Sequence, residues 1–268
     1  MTCGLVVLLV LYPAHEAWPA MRLEVLQGFV NDESWHPLSG TFGLLPMLCA
    51  TAVTSLGAVM LAAPIGVATA VYAEYYSPTI IRMFVIRVVE VLAGIPSVVI
   101  GLWGLTRLTP LLAQAGGSGQ NVTAATLVLT LMIFPTVALI TGSALRGVST
   151  DIRSAAIALG LNRTSVVCQV LLPAAARSIA AGILLALLRA VGETMAVLMV
   201  AGNVVQWPTS LTAPVRTVTG NIALELGYAG RDHRAVLFLT GLLLIVVVLA
   251  LVATVRWLTV GRENSHHA

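Results

Sequence analysis

Arg189 and Glu193 stand four residues apart in an otherwise apolar stretch, Arg189-Ala-Val-Gly-Glu193-Thr194. On a helix, this spacing places two side chains on one face about 6 Å apart. A guanidinium offers a fork of donors that matches the oxygens of phosphate-type anions. Glu193 could accept the P–OH hydrogen, which fully ionised sulfate lacks, and Thr194 adds a hydroxyl. The pattern favours the passage of an oxyanion, with a static ion pair that fixes helix packing as the alternative.

The composition shows which elements must position these side chains. Apolar residues make up 58% of the 268 residues and charged residues 9%, whereas a soluble domain has about 25% charged residues. The apolar runs suit helices that cross about 30 Å of hydrocarbon, and the alternating segments of barrel strands are absent. We therefore expect an all-α fold, a polytopic transmembrane helical bundle.

Five apolar stretches are long enough to cross a membrane, and they form one domain over residues 1–268. They cover roughly residues 44–73, 85–113, 122–145, 179–205 and 235–258. Residues 4–12 are apolar too but would rise only about 14 Å as a helix, which is half a span. We favour a start site that lost the cytoplasmic half of a first helix over a signal peptide, because no arginine precedes the segment. Pro64, Pro96 and Pro135 are expected to bend their spans, as ordinary kinks more than as gating hinges.

Within the fourth stretch, Arg189 lies about ten residues from the start, roughly 15 Å by helical rise and close to the bilayer midplane. Facing lipid there would cost at least about 2.5–3.5 kcal/mol, so we expect it to face the bundle interior or a water-filled path. Gly192 and Gly202 are expected to thin this helix for close approach. Glu90 is another possible pathway carboxylate, although a helix-end pairing with Arg87, three residues before it, is slightly favoured.

The residue inventory excludes several functions. All 14 basic residues are arginine, so the chain has no P-loop lysine and no Schiff-base lysine. HExxH and GxSxG patterns are absent as well, so we expect no enzyme, and any ATP hydrolysis must occur in another subunit. The histidines lack metal-ligand spacing, and the three cysteines are expected to be packing residues. We expect no metal and no cofactor in this chain.

The arginines also predict an orientation. If the loop 146–177 is cytoplasmic, that side receives eight arginines and the opposite side five. Both termini are then cytoplasmic. Four tryptophans near the span ends are expected to anchor the chain at headgroup depth: Trp18, Trp35, Trp207 and Trp257.

A polar loop interrupts the apolar pattern between residues 151 and 177. One short helix is expected to end through a left-handed cap at Gly160, and a second to run from about Thr164 to Leu172 and stop at Pro173. Such a helix-turn-helix on the membrane surface must bury its apolar ridge in a partner's groove or lie in the headgroups. The ridge residues are Ile152, Ala155, Ala156, Ala158, Leu159 and Leu161.

The loop resembles the coupling loop of bacterial ABC importer permeases, whose pattern is Glu-Ala-Ala, three residues, Gly, nine residues, Ile, one residue, Leu-Pro. This chain has Ser154-Ala155-Ala156, Gly160, Val170 and Leu172-Pro173 at that spacing. The resemblance implies that these residues dock into a cleft of an ATPase subunit. Ser154 replaces the usual glutamate, which affects any salt bridge from that position. The alternative is an interfacial loop without a partner.

Further segments are similar to the phosphate-specific permeases of the Pst system, the PstC type more than the PstA type. They are residues 35–46, 93–104, 189–197 with Gly202-Asn203, and 219–223. The resemblance implies a type I ABC importer permease fold and a heterodimer with a second, homologous permease. It also implies two ATP-binding subunits that hold ATP and Mg²⁺, an external phosphate-binding protein, and a place among the lipids of the bacterial inner membrane. It implies that Arg189 and Glu193 are needed for transport, and no nucleic acid is expected as a partner.

Three functions remain open at this point. The first is phosphate import as an ABC permease. The second is an ABC permease for another oxyanion, such as molybdate or sulfate, which substrate competition would distinguish. The third is a secondary transporter or channel without an ATPase, which would depend on an ion gradient instead of ATP.

Overall fold

The fold is all-α, as predicted, in a computed structural model that describes residues 2–21, 23–32, 34–114 and 117–260. Arg22, Arg262, His266 and His267, and the side chains of Cys3 and Trp257, lie outside the described residues and side chains. The helices in chain order are α1 Thr2–Ala17, α2 Leu23–Asn31, α3 Leu45–Val71, α4 Thr79–Gly94, α5 Ser97–Trp103, α6 Thr109–Gln114, α7 Val122–Arg146, α8 Thr150–Ala158, α9 Arg163–Ser165, α10 Leu172–Gly192, α11 Met195–Val200, α12 Val218–Glu225 and α13 Arg231–Val260.

Short irregular elements join these helices. π-Helical turns cover Tyr72–Tyr76, Gly104–Leu108 and Val166–Leu171. A two-residue antiparallel pair, β1 Trp35–His36 and β2 Thr41–Phe42, places Trp35 opposite Phe42. Gly40 closes that turn with a φ of 76°, a conformation that costs glycine little.

Four helical stretches among the described residues are long and apolar enough to cross a membrane: Leu45–Tyr76, Val122–Arg146, Arg163–Gly192 and Arg231–Arg256. The first, second and fourth of these confirm the crossings predicted at 44–73, 122–145 and 235–258. Pro64 and Pro135 lie inside α3 and α7 without ending them.

The second predicted crossing, residues 85–113, is not one straight helix. α4 ends at Gly94 and α5 begins at Ser97, so this stretch is two helices with a break between them. Ile95 is extended, with φ −67° and ψ 128°, which is the conformation that a following proline enforces. Pro96 therefore breaks the span where a kink was predicted.

The fourth predicted crossing, 179–205, is wrong at both ends. The helical stretch begins at Arg163 and ends at Gly192. Glu193 and Thr194 are not helical, and after the short α11 the chain turns at Gly202 and Asn203, with φ of 90° and 56°. Gly202 therefore does not thin a helix, because it lies in this turn.

The first helix is also longer than predicted. α1 runs over the 16 residues Thr2–Ala17, whereas the apolar run suggested nine residues. Pro13 lies inside it. The polar residues after Tyr12 therefore do not mark the end of this helix.

Contacts divide the chain into two compact units. The first comprises residues 1–55, 97–128 and 191–250. Its main buried cluster joins the β1–β2 turn, the start of α3 and the start of α13, with Leu44 and Met47 fully buried.

The second unit comprises residues 56–96, 129–190 and 251–268. Its buried cluster is built around the end of α7 and the polar loop, and it includes Tyr75, Leu145, Ala156, Val167 and Leu171. The polar loop is therefore packed on helices of its own unit.

Candidate functional site

Arg189 lies in the last turn of α10, with an exposed side chain. The helix begins at Leu172, so Arg189 lies about 25 Å along it by helical rise. The predicted 15 Å was counted from Ile179, seven residues after the start of α10, and the depth of Arg189 in the bilayer stays a prediction. An exposed guanidinium in an apolar helix requires a polar surrounding, from water or from another molecule.

Glu193 does not share a helix face with Arg189, because α10 ends at Gly192. The predicted i,i+4 pair is therefore wrong. The carboxylate Oε1 of Glu193 instead accepts a hydrogen bond from the backbone N–H of Ala196 at 3.1 Å, which satisfies a free donor of the first turn of α11. Its backbone carbonyl accepts from the hydroxyl of Thr219 at 2.8 Å. The Thr194 hydroxyl donates to the carbonyl of Gly192 at 3.3 Å.

Two glycines of α5 and the following π-helical turn allow α11 to approach closely. A Cβ on Gly101 would lie 2.7 Å from the Cα of Ala196. A Cβ on Gly104 would lie 3.0 Å from Cγ1 of Val200. Gly101 and Gly104 therefore let α5 and the following π-helical turn set the position of α11, the helix that Glu193 caps.

A buried charged network in the first unit was missed by the sequence analysis. The Glu225 carboxylate accepts from the indole N–H of Trp35 at 2.7 Å and from NH1 of Arg216 at 2.8 Å. His233 Nε2 lies 2.9 Å from the same carboxylate, so this histidine is not isolated. Arg216 also donates to the backbone carbonyl of Asn203 at 2.8 Å. The network joins the β1–β2 turn, the turn at Asn203, α12 and α13.

Trp35 was predicted to be a headgroup anchor, and this was wrong, since its side chain is buried beside Phe42. Trp18 and Trp207 are exposed, and their place at headgroup depth stays a prediction. In the sequence, this network is indicated only by Glu225 and His233, which lie eight residues apart on either side of the start of α13. That spacing does not predict a contact unless the position of Trp35 is known.

The polar loop forms a helix-turn-helix, as predicted. The hydroxyl of Ser149 caps α8 by accepting from the N–H of Asp151 at 3.2 Å. Gly160 has a φ of 78°, which confirms the left-handed cap. Asn162 caps α9 by accepting from the N–H of Ser165 at 2.8 Å.

The second helix of the loop does not stop at Pro173. It passes through the π-helical turn Val166–Leu171 directly into α10, which begins at Leu172. A π-helical turn ahead of a proline relieves the clash of its ring with the preceding turn. The loop and the long apolar helix are consequently one continuous helical stretch.

Most of the predicted docking residues are accessible. Ser154, Ala155, Gly160 and Pro173 are exposed and Leu172 is half-buried. Ala156 is an exception, because it is packed inside the second unit at 4% exposure. In the ridge, Ile152 and Leu159 are exposed, as is the neighbouring Ile157, whereas Leu161 packs against the buried cluster.

Three consecutive residues after α3 hold the loop and its neighbouring helices together. The carboxylate of Glu74 is buried and pairs with Arg82, at 2.7 Å, and with Arg146. The Tyr75 hydroxyl donates to the carbonyl of Leu145 at 3.4 Å. The Tyr76 hydroxyl donates to that of Thr164 at 3.4 Å. Glu74, Tyr75 and Tyr76 therefore tie the end of α3 to α4, α7 and α9.

Glu90 pairs with Arg87, at 3.8 Å between Oε2 and NH1, and half of its side chain is exposed. The pairing with Arg87 is the one favoured from the sequence, but it lies within α4 and not at a helix end. Glu90 also lines a cleft with Glu74 and Arg146, so its carboxylate remains accessible.

Residues 62–260 match the family described as binding-protein-dependent transport system inner membrane component. The chain is 33% identical over 241 residues to a probable ABC transporter permease protein, YqgH, of Bacillus subtilis, covering 88% of this chain and 78% of that one. It is 32% identical over 252 residues to the phosphate transport system permease protein PstC of Mesorhizobium japonicum, covering 86% and 77%.

Solved structures share the fold. The inward-facing methionine ABC transporter MetNI superposes with a TM-score of 0.60 at 22% identity, covering 81% of this chain and 94% of that chain. A bacterial alginate ABC transporter superposes with a TM-score of 0.60 at 15% identity, covering 95% and 93%. These likenesses confirm the predicted fold of a type I ABC importer permease.

Proposed function

Since the chain belongs to the family of binding-protein-dependent transport system inner membrane components, we propose that it is the permease subunit of an ATP-driven importer that moves inorganic phosphate into the cell. The substrate assignment is supported by relatives named phosphate transport system permease proteins, of which the M. japonicum and Xylella fastidiosa (strain 9a5c) proteins are 32% and 31% identical to it.

The observation that carries the proposal is the exposed coupling segment, residues 146–177. Ser154 and Ala155 of α8, and Gly160 of the turn after it, are exposed, and Leu159 is 81% exposed. Leu159 stands with the exposed Ile152 and Ile157 in this loop, and a group of exposed apolar side chains is typical of a site that binds a covering surface. A groove on an ATP-binding subunit supplies this covering surface. The loop continues as one helical stretch into α10, so a movement of the groove is transmitted along this helix to Arg189.

Arg189, Glu193 and Thr194 form the proposed substrate pathway. The exposed guanidinium of Arg189 is available to an anion or to a neighbouring chain, and its donor fork matches phosphate oxygens. Oε1 of Glu193 caps α11. Glu193 therefore contributes its other carboxylate oxygen to the proposed pathway. A static packing role for Arg189 predicts loss of assembly when the side chain is removed.

The proposed assembly is a heterodimer with a second, homologous permease, two ATP-binding subunits and an external phosphate-binding protein. ATP and Mg²⁺ are held by the ATP-binding subunits, because this chain has no lysine for a P-loop. The chain is a multi-pass membrane protein, and we place it in the bacterial inner membrane with both termini in the cytoplasm.

The test is uptake by the purified complex in proteoliposomes. We expect ³²P-phosphate uptake that requires ATP and the binding protein, resists an excess of sulfate or molybdate, and survives ionophores that abolish ion gradients. Competition by molybdate or sulfate would identify another oxyanion as the substrate. Uptake that follows an ion gradient without ATP would contradict the ABC assignment.

A further inference from the structure

A cleft of about 250 Å³ opens on the coupling segment, lined by residues of α8, α9 and the π-helical turn that follows. Arg153 and Arg163 are part of its lining, one from each short helix, and Tyr75 contributes its ring. The remaining lining is apolar: Ile157, Leu161, Val166, Val167 and Leu171. All of these residues belong to the second unit.

The two arginines are held in place by aromatic rings. The Cζ of Arg153 lies 5.5 Å from the ring centroid of Tyr75, and that of Arg163 lies 5.4 Å from the ring centroid of Tyr76. Both rings are oriented in turn by their own hydroxyl contacts, to Leu145 and Thr164. A cation–π contact positions a guanidinium without neutralising its charge, so both cations remain able to bind an anion.

No carboxylate of the described chain neutralises this pair. The ion pairs found among the described residues use other arginines: Arg82, Arg87, Arg146, Arg216 and Arg234. The cleft lining contains no acidic residue, and both Arg153 and Arg163 are exposed. The cleft therefore carries two positive charges, fixed in position and without a counter-charge of their own.

We propose that this cleft receives a carboxylate side chain of the ATP-binding subunit, so that the groove covering the coupling segment is acidic at this point. The inference rests on the proposed function. Charge complementarity identifies the partner's chemistry. The exposed Ile157 in the cleft lining and the exposed Leu159, two residues further on, supply the apolar surface of a protein–protein contact.

The test measures the affinity of the ATP-binding subunit for the permease pair in nanodiscs. The variant carries Arg153→Glu and Arg163→Glu, and the control carries Arg107→Glu and Arg231→Glu, two exposed arginines outside the coupling segment and outside the cleft. We expect the double variant to raise the dissociation constant at least about tenfold and the control to leave it unchanged. Increasing salt should weaken the parent complex more than the double variant, since salt screens the proposed ion pairs.

Unchanged affinity in the double variant, with the thermal midpoint of the parent, would overturn the inference. A lipid in the cleft would overturn it as well. In that case the affinity would be unchanged, and anionic lipid would stabilise the parent protein but not the double variant. The proposed function fails in a different way, because then the parent itself would bind no ATP-binding subunit. An Arg153→Lys, Arg163→Lys variant keeps both charges, and it should bind more tightly than the glutamate variant.

Discussion

Replacing Gly101 with alanine tests whether α5 positions the helix that Glu193 caps. The added Cβ would lie 2.7 Å from the Cα of Ala196 and 3.1 Å from the Sδ of Met199. The methionine end can rotate away, but the backbone of Ala196 cannot move without α11. The close contact with the backbone therefore decides the outcome.

The size of the effect follows from the distance. Ordinary contacts of a Cβ begin at about 3.4 Å, so α11 must shift by roughly 0.7 Å to accept the methyl group. Overpacking of this kind costs about 1–3 kcal/mol, partly offset by the higher helix propensity of alanine, about 1 kcal/mol. Displacing a functional group by close to 1 Å can lower a rate about 100-fold. We expect a small loss of stability and a large loss of uptake.

The assay is ATP-dependent phosphate uptake in proteoliposomes, with the thermal midpoint of the complex measured alongside. Gly94→Ala is the matched control, because a Cβ at Gly94 meets nothing within 4 Å. We expect Gly101→Ala to reduce uptake by about 10- to 100-fold while Gly94→Ala stays near the parent rate. If Gly101→Ala transports like the parent, then either α11 is free to shift or the position of Glu193 is unimportant. Either result would contradict a role of α5 in positioning Glu193 for transport.

Three further changes test the other parts of the site. Arg189→Ala should abolish uptake and leave the complex assembled by gel filtration; loss of assembly would support the static packing role instead. Gly160→Asp should uncouple ATP hydrolysis from uptake, because it strains a residue with a φ of 78° and adds charge to the docking surface; normal uptake per ATP hydrolysed would contradict docking. Glu225→Gln should destabilise the protein by about 3 kcal/mol in thermal unfolding, because it leaves Arg216 without its buried counter-charge; an unchanged midpoint would show that Arg216 does not need the charge of Glu225.

The parts of the fold that the sequence predicted are those set by local chemistry. α3, α7 and α13 follow from unbroken apolar runs, and the cap at Gly160 follows from the conformational freedom of glycine. These features depend on neighbouring residues along the chain. They are therefore visible in the chain itself.

The parts that could not be predicted depend on contacts distant in sequence. The end of α10 at Gly192 is hard to see in the sequence, because only Glu193 and Thr194 separate it from the apolar residues Met195–Val200. The break is evident only from the structure. There Glu193 caps α11, and the hydroxyl of Thr219, 26 residues later, donates to the Glu193 carbonyl. The same holds for Trp35 and Glu225, which are 190 residues apart.

Arginine has two roles in this protein, and burial of the partner carboxylate separates them. Glu74 and Glu225 are buried, and each is paired with arginine within its own unit, so removing either carboxylate leaves arginine uncompensated and weakens the fold. Arg153, Arg163 and Arg189 are exposed, so their charges add little to stability. Fixed charges that do not stabilise the chain are available to bind other molecules. Substitution of the first group should consequently lower thermal stability, and substitution of the second should impair association or transport at nearly unchanged stability.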